Sequence, residues 1–249
     1  MKPTIIRLIK NRLRQLFIQL NWPVTRNLKY DILTKKILQR ELRPTSNCID
    51  VGAHKGEILD LFLGFAPKGR HTAFEPIPIL NAALHANYSA RVHVHPFALS
   101  DRTGTMLFNV VIDDPAYSGL QQREYKQSAP KIDTIEVEVR QLDDVMKERD
   151  YSISLIKIDV EGGELDVLKG ASSILKTDQP ILIFEFGKGA SEYYGTMPHH
   201  MFELLEAQGY GMWTLSDFWN GKQPLHSASL KSIYEKGSDY YFVAKALNS

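Results

Sequence analysis

Short apolar runs that end in acidic residues and glycines constrain the fold of this chain more than any other feature. The first run contains Asp50 and breaks at Gly52 and Gly56, where a helical pattern begins. The second run ends at Glu75, 25 positions after Asp50. A buried strand that ends in glycines lets the backbone approach a ligand closely, and the next helix offers free N–H groups at its start. The pattern predicts a site for a nucleoside-containing cofactor, with Glu75 on the ribose.

The order of these patterns predicts an α/β fold in a chain of 249 residues. Repeated strand–helix units imply a mostly parallel, Rossmann-like sheet with helices on both faces. Seven strands are predicted, at 48–52, 71–75, 91–97, 153–158, 181–186, 210–215 and 239–245. Six helices are predicted, at 28–42, 57–65, 78–87, 142–149, 164–176 and 198–207.

Two further segments, 104–112 and 133–139, alternate apolar and polar residues and predict an inserted antiparallel pair. The polar stretch between them, 113–131, predicts a long loop or lid over the acceptor site. A second polar stretch, 216–237, predicts another loop beside the same pocket. We expect one main domain over 45–249, preceded by a helical extension over 1–44.

Charge is distributed unevenly along the chain. Residues 1–30 carry seven Lys or Arg and no acid, which leaves 23 basic against 29 acidic residues for the remainder. A mildly acidic body argues against a nucleic-acid surface. The single cysteine, Cys48, lies in an apolar run, which predicts a buried thiol and a reducing, cytoplasmic compartment.

The first 20 residues combine a helical apolar spacing with several arginines and lysines. They lack the continuous apolar stretch of a signal peptide or of a membrane span. Two interpretations stay open. The segment could form a cationic helix on the inner face of a membrane, or a helix that packs on the body or on a second copy of the chain. A homo-oligomer is therefore one of the open alternatives.

Neither of the common phosphate-binding motifs fits the first glycine turn. Gly56 is followed by Glu57 rather than by Lys and Ser or Thr, which excludes a P-loop. The spacing of Gly52 and Gly56 also departs from the dinucleotide fingerprint. An acid before the glycines, here Asp50, is typical of S-adenosylmethionine (SAM) sites, where it helps to hold the methionine end. The alternative is that the glycines only permit a strand-to-helix turn.

The most specific block contains Asp159 and Glu161, followed by two glycines and Glu164. With this block the chain resembles the FkbM-type methyltransferase family. The similarity covers roughly residues 46–187 and rests on five blocks, which are Asp50–Gly56, Phe74–Pro76, Ala98–Asp101, Ile156–Gly170 and Ile183–Glu185. The resemblance implies a class I, SAM-dependent methyltransferase of the Rossmann-like type, usually acting on oxygen atoms of sugars, polyketides or related small molecules.

The resemblance also implies positions for the cofactor. Asp101 could accept a hydrogen bond from the adenine amino group, although an ordinary turn would also explain an acid there. His54 stands where many family members have asparagine and is expected to be a pocket neighbour rather than a catalyst. The full set expected around SAM is Asp50, Gly52, His54, Gly56, Glu75, Ser100, Asp101 and Asp159.

Acceptor activation is expected from Asp159, Glu161 and Glu185, which the predicted strands deliver to one rim. Crowded acids raise one another's pKa, which would give a base near neutrality. Alternatively, Asp159 and Glu185 could hold Mg²⁺, as acids at the ends of strands four and five do in similar sugar O-methyltransferases. A third interpretation is that Glu161 and Glu164 only begin a helix.

The sequence thus predicts O-methylation of a small molecule or glycan. Two rival functions are a nicotinamide-dependent oxidoreductase and an inactive membrane-peripheral binding module. The glycine spacing disfavours the oxidoreductase. Tyr241 and Lys245 have the spacing of a short-chain dehydrogenase pair, but they fall in a predicted strand, so we interpret the match as coincidence.

Overall fold

The computed structural model describes residues 25–122 and 130–247. Its strands are β1 (Cys48–Val51), β2 (His71–Phe74), β3 (Val92–His95), β4 (Ala98–Leu99), β5 (Gly104–Val111), β6 (Ile132–Arg140), β7 (Leu155–Ile158), β8 (Ile181–Glu185), β9 (Tyr210–Thr214) and β10 (Tyr241–Ala246). Its helices are α1 (Arg26–Glu41), α2 (Glu57–Phe65), α3 (Pro78–Tyr88), α4 (Leu142–Val145), α5 (Glu164–Lys169), α6 (Ser172–Thr177), α7 (Pro198–Ala207), α8 (Leu215–Trp219) and α9 (Ser227–Lys236), with short 3₁₀ turns at Pro115–Tyr117 and Ser191–Tyr194.

Seven strands form the main sheet in the order β3-β2-β1-β7-β8-β10-β9. The pairs from β3 to β8 are parallel, whereas β10 runs antiparallel to both β8 and β9. The predicted fold class, a mostly parallel Rossmann-like sheet with helices, is confirmed. Because β1 and β7 are neighbours at the centre, the loops that follow them meet at one edge of the sheet.

Helices cover both faces of this sheet, as its apolar strands require. On one face, α1, α2 and α8 supply Ile37, Phe62 and Leu215 to a buried cluster. On the other face, α4 to α7 and α9 surround a second cluster that includes Phe184 and Leu230. Neighbouring residues of each strand enter different clusters, because side chains alternate between the faces of a sheet.

The antiparallel pair predicted in the middle of the chain is β5 and β6, and it forms a separate small sheet. β4 pairs in parallel with β6 and completes the order β4-β6-β5. Phe108 and Val137 pack this sheet on Ile77 at the start of α3. Residues 123–129 of the predicted loop lie outside the described residues.

The prediction of a loop over 216–237 is wrong, because α8 and α9 occupy much of it. The Thr214 side chain caps the start of α8, and Leu215 is fully buried. Leu230 and Tyr234 anchor α9 in the core. These two residues, four positions apart, are the buried residues of α9. Because most of its other residues are polar, the sequence shows no clear helical spacing of apolar residues there.

The helix predicted over 164–176 is two helices, α5 and α6. The Asp143 carboxylate accepts hydrogen bonds from the backbone N–H groups of Ser173 and Ile174 at 2.7 and 3.0 Å, and so begins α6 independently. The strand predicted over 91–97 is shorter in the structure, since β3 covers only Val92–His95; the next strand, Ala98–Leu99, lies beyond that range and joins the small sheet. The predicted helix over 142–149 ends at Val145.

The helix predicted over 28–42 is present as α1. The amphipathic segment predicted over 1–20 lies outside the described residues. None of the helices in the two described ranges combines the length and apolar character that a bilayer crossing requires.

Candidate functional site

The strand register brings polar residues from distant parts of the chain to one face of the sheet. Asp50 of β1 is directly opposite Lys157 of β7, and Lys157 is opposite Ile183 of β8. Asp159 and Glu185 follow Lys157 and Ile183 by two positions each. Because side chains alternate between the faces of a sheet, they lie on the same face as Lys157. On the far side of β8, Tyr241 of β10 is opposite Glu185. A row of ionisable side chains therefore crosses the carboxyl edge of the sheet.

A cleft of about 1480 Å³ opens along this row. Sites for one small ligand are usually about 300–1,000 Å³, so the cleft has room for a cofactor and a second molecule. The N-terminal half of α1 and residues 237–241 line one part of it, and residues 113–118 line another. The predicted site residues that line the cleft are Asp50, Gly52, His54, Glu75, Ser100, Asp159, Glu161 and Glu185.

Two predicted cofactor residues, Gly56 and Asp101, are not among the lining residues of the cleft. Gly56 has a φ of +85°, and a Cβ there would lie 2.6 Å from the ring of Tyr88. The positive φ at the residue before α2 and the close contact with Tyr88 both favour glycine at this position. The Asp101 carboxylate accepts a hydrogen bond from Arg102 at 2.8 Å, and this partner lowers its pKa. Their roles at the cofactor stay predictions.

Asp50 is almost fully buried, with 1% exposure, and neither carboxylate oxygen has a hydrogen-bond partner within the described residues. Burial raises its pKa to about 6, against the opposing effect of Lys157. Buried carboxylates are normally hydrogen-bonded, because leaving them unpaired is costly. A carboxylate that lines a cleft and has no hydrogen-bond donor among the described residues is suited to a ligand that carries positive charge or N–H groups.

Glu75 is held in place by backbone donors. Its two oxygens accept hydrogen bonds from the backbone N–H groups of His54 at 2.8 Å and of Ile77 at 2.9 Å. Burial raises its pKa to about 7 despite these bonds. Each carboxylate oxygen has a second lone pair, so the oriented carboxylate can still accept from ligand hydroxyls.

The loop after β1 has an unusual backbone at His54 and Gly52. Gly52 has a φ of +78°, and a Cβ there would lie 2.0 Å from the carbonyl oxygen of Asp159. His54 has a φ of +48°, which is uncommon for a residue with a side chain. Burial lowers the pKa of its imidazole, and its Nε2 atom is buried without a partner in the described structure.

Asp159 is the most heavily bonded acid of the row. Lys157 Nζ lies 3.1 Å from its Oδ2, and the Tyr241 hydroxyl donates to the same oxygen. Burial alone would raise the pKa of Asp159, but the Lys157 ammonium and these hydrogen bonds hold it below its usual range. Asp159 is therefore ionised at neutral pH.

Glu185 has the opposite protonation tendency. Burial raises its pKa well above the usual range, and the negative charges of Asp159 and Glu161 add to this effect. One carboxylate oxygen from each of these three acids lies within 4.8 Å of the others. Glu161 reaches the cluster from a backbone with a φ of +59°, a strained conformation of the kind found at functional sites.

Glu164 has a structural role at the start of α5. It is 1% exposed, and its Oε1 accepts hydrogen bonds from the backbone N–H groups of Val160 and Gly162 at 3.0 and 3.2 Å. It holds the loop that carries Glu161 into the cluster. The sequence allowed that Glu161 and Glu164 both only begin a helix. This describes Glu164, whereas Glu161 lines the cleft.

Sequence reasoning missed Lys157 and Tyr241. Lys157 lies inside the most specific block, and a lysine within a buried strand was a signal that it needs acidic partners. Tyr241 was assigned only to a coincidental pair with Lys245. That interpretation agrees with the structure, because Lys245 bonds to Glu41 at 3.1 Å while Tyr241 bonds to Asp159.

A model of the FkbM methyltransferase domain matches residues 50–212, which is more than half of the chain. The chain belongs to the FkbM methyltransferase family. The matched region contains every predicted site residue and ends before β10. Methyltransferases of this family use SAM, so the protein is a SAM-dependent methyltransferase, as the resemblance implied.

The chain is similar in sequence to two characterised proteins. The 2-O-methyltransferase NoeI of Sinorhizobium fredii is 28% identical over 193 residues, which cover 70% of this chain and 76% of NoeI. The AMB antimetabolite synthetase AmbE of Pseudomonas aeruginosa is 26% identical over 205 residues, covering 66% of this chain and 10% of that much longer protein.

Among solved structures, the chain is similar to the methyltransferase FkbM of Methylobacillus flagellatus. The TM-score is 0.50 at 20% identity, with 82% of this chain and 44% of that chain covered. At this identity the likeness supports the fold alone, and this chain spans less than half of the other.

Proposed function

We propose that the protein transfers a methyl group from SAM to a hydroxyl oxygen of a sugar, a glycan or a related small molecule. The observation that carries this proposal is the placement of three clustered carboxylates next to two buried cofactor-side acids in one cleft. The similarity to a 2-O-methyltransferase supports oxygen as the accepting atom. The oxidoreductase alternative is not favoured.

The residues of the cofactor part fit SAM. SAM carries an ammonium group, a sulfonium and a ribose with two hydroxyls, and when bound it supplies an electrophilic methyl group. Asp50 offers the positive methionine end two oxygens that have no hydrogen-bond donor among the described residues. Glu75 is oriented by two backbone donors and can accept from the ribose hydroxyls. The unpaired Nε2 atom of His54 adds a further contact point.

Glu185 is the residue we assign to proton acceptance. Methyl transfer would form a bond between the acceptor oxygen and the methyl carbon and break the bond from that carbon to the SAM sulfur, which would leave as a neutral thioether. The hydroxyl proton must also leave, and a carboxylate within hydrogen-bond reach can take it. Burial and the neighbouring negative charges raise the pKa of Glu185, and a raised pKa makes the ionised carboxylate a stronger proton acceptor. Asp159 stays ionised and holds the cluster together through Lys157 and Tyr241.

Mg²⁺ binding is the alternative role for the same acids, whose oxygens are close enough to share an ion. We favour proton acceptance, because Oδ2 of Asp159 already has an ammonium and a hydroxyl as partners. Methyl transfer that stops on chelation of divalent ions and returns with Mg²⁺ would reverse this preference.

Calorimetric titration with SAM, its demethylated product and NAD(P) tests the cofactor assignment. The wild-type protein should bind SAM and its product but not NAD(P). Asp50→Asn should weaken SAM binding by about 100-fold or more, because a charged hydrogen bond to the ligand is lost, worth roughly 3 kcal/mol. Asp133→Asn, an exposed change on β6, is the matched control. Unchanged SAM affinity in Asp50→Asn would contradict the site.

A further inference from the structure

Lys157 lies between the cofactor side and the acceptor side of the cleft. Its side chain is 8% exposed on the central strand β7. The ammonium is 3.1 Å from Oδ2 of Asp159 and 4.0 Å from Oδ1 of Asp50. Within residues 25–122 and 130–247, Lys157 is the only ion-pair partner of Asp50. One buried cation thus serves two carboxylates that belong to different parts of the reaction.

The groups that face this ammonium and its partners are mostly acidic. They come from the loop after β1, from the ends of β2, β7, β8 and β10, and from α5. They are His54, Glu75, Asp159, Glu161, Glu164, Glu185 and Tyr241, in addition to Asp50 itself. Without the lysine, Asp50 would be a buried acid surrounded by like charges and with no ion-pair partner among the described residues.

We propose that Lys157 is a positioning residue that keeps Asp50 ionised for SAM while it holds Asp159 beside Glu185. The inference rests on the proposed function, because it requires Asp50 to meet the positive end of SAM. The lysine touches neither substrate in this scheme. It acts through the two acids, and its position directly opposite Asp50 in the register provides the geometry.

The expected consequence concerns the pH dependence of SAM binding. Asp50 must lose its proton to attract a cation, so SAM affinity rises as the pH rises through the pKa of Asp50. Replacing Lys157 with Met removes the charge but keeps a similar length, which raises that pKa further. SAM affinity at neutral pH should then fall about tenfold for each unit by which the midpoint rises. It should recover at higher pH.

The experiment is calorimetric titration of the full chain with SAM between about pH 5 and pH 8.5. Lys157→Met should raise the pH midpoint of binding, whereas Lys157→Arg, which keeps the charge, should stay close to the wild type. Lys68→Met, at the opposite edge of the sheet before β2, is the matched control with an exposed lysine. The ionisation of free SAM contributes equally to the pH dependence of every variant, so it does not affect the differences between their midpoints.

Asp159→Asn provides a prediction of opposite sign. It leaves Lys157 with Asp50 as its nearest acid, so the midpoint should move to lower pH even if overall affinity changes. Circular dichroism melting checks that each variant is folded. If Lys157→Met does not fold, the shift in Asp159→Asn decides the matter, since that variant keeps the buried lysine.

Opposite shifts in the two variants would support the proposal. Equal weakening of SAM binding at every pH in Lys157→Met would show a merely structural role and would overturn it, as would an unmoved midpoint in Asp159→Asn. A wild-type protein that binds no SAM at any pH would overturn the proposed function itself. Wild-type binding with unmoved midpoints would overturn only the role of Lys157.

Discussion

At the scale of single residues, the acid cluster divides its tasks through environment rather than through residue type. Asp159 and Glu185 are both partly buried carboxylates at the carboxyl ends of the neighbouring strands β7 and β8. Asp159 is bonded to an ammonium and a hydroxyl, so it stays ionised. Glu185 faces the negative charges of its neighbours, so its pKa is raised. Pairs of acids whose environments push their pKa values apart commonly divide into a charged partner and a proton carrier.

Glu185→Gln should lower the turnover number by about 10²- to 10⁴-fold, the usual contribution of a general base. SAM affinity should change little, because Glu185 belongs to the acceptor side. Transfer of radiolabelled methyl from SAM to a panel of hydroxylated sugars measures turnover, and calorimetry measures SAM binding. Glu203→Gln, an exposed change on α7, is the control.

In the wild type, turnover should rise with pH while Glu185 loses its proton, because only the ionised carboxylate can accept one. The Glu185→Gln variant should lose this limb of the profile. Full activity in the variant, or an unchanged pH profile, would exclude Glu185 as the base.

A substitution at Gly52 tests whether the loop after β1 lies as close to the loop after β7 as the structure shows. Gly52→Ala should destabilise the protein by about 2 kcal/mol or more, because it combines a positive φ with a Cβ 2.0 Å from the carbonyl oxygen of Asp159. Gly64→Ala, in α2 with nothing within 4 Å of the added Cβ, should instead stabilise by about 0.5–1 kcal/mol. Chemical denaturation of both variants measures the difference, and equal effects would contradict it.

At the scale of elements, the loop between β7 and α5 depends on one buried acid. Glu164 accepts from two backbone N–H groups of this loop, and burial raises its pKa from 4.5 to about 7. Between about pH 4.5 and 7 the folded state keeps a proton that the unfolded chain has lost. The unfolding free energy therefore falls as the pH rises through this window.

Glu164→Gln should remove this part of the pH dependence. The decrease in unfolding free energy between about pH 5 and 7.5 should be smaller in the variant by about 2 kcal/mol. Urea denaturation at both pH values measures it, with the exposed Glu206→Gln as control. A variant whose stability declines with pH as steeply as the wild type would show that Glu164 does not carry this proton.

At the scale of the whole molecule, the helix α1 is part of the core. Ile37 and Leu38 of α1 are fully buried in the same cluster as Leu59 and Phe62 of α2. The ring of Tyr30 lies 5.3 Å from that of Tyr241, which itself bonds to Asp159. The division at residue 44 thus remains a prediction, and α1 contacts the acid cluster through the Tyr30 and Tyr241 rings.

Leu38→Ala should cost about 2–5 kcal/mol of unfolding free energy, as is usual for a fully buried leucine. Leu63→Ala, on the half-buried side of α2, should cost less. A chain that begins at residue 45 should not melt cooperatively, because the core cluster loses the buried side chains of α1, such as Ile37 and Leu38. A cooperative transition at the wild-type temperature would show instead that the extension is dispensable.

The main architecture was predictable because it depends on local signals. Most strands of the main sheet are short apolar runs, and several of them end at glycine, proline or an acid, so much of the strand–helix order follows from the chain itself. The same logic predicted that Asp50, Glu75, Asp159 and Glu185 would meet, since the carboxyl ends of parallel strands share an edge. The polar helix α9 was missed because two buried side chains suffice to anchor it.

The sequence by itself therefore determined the fold class and which acids lie at the carboxyl edge of the sheet. Only the tertiary structure decided how those acids are charged. Asp50 and Lys157 are far apart in the chain, and Tyr241 reaches Asp159 only because β10 pairs with β8 in one register. Protonation depends on burial and on neighbours a few ångströms away, and these neighbours are brought together by strand pairing rather than by sequence proximity.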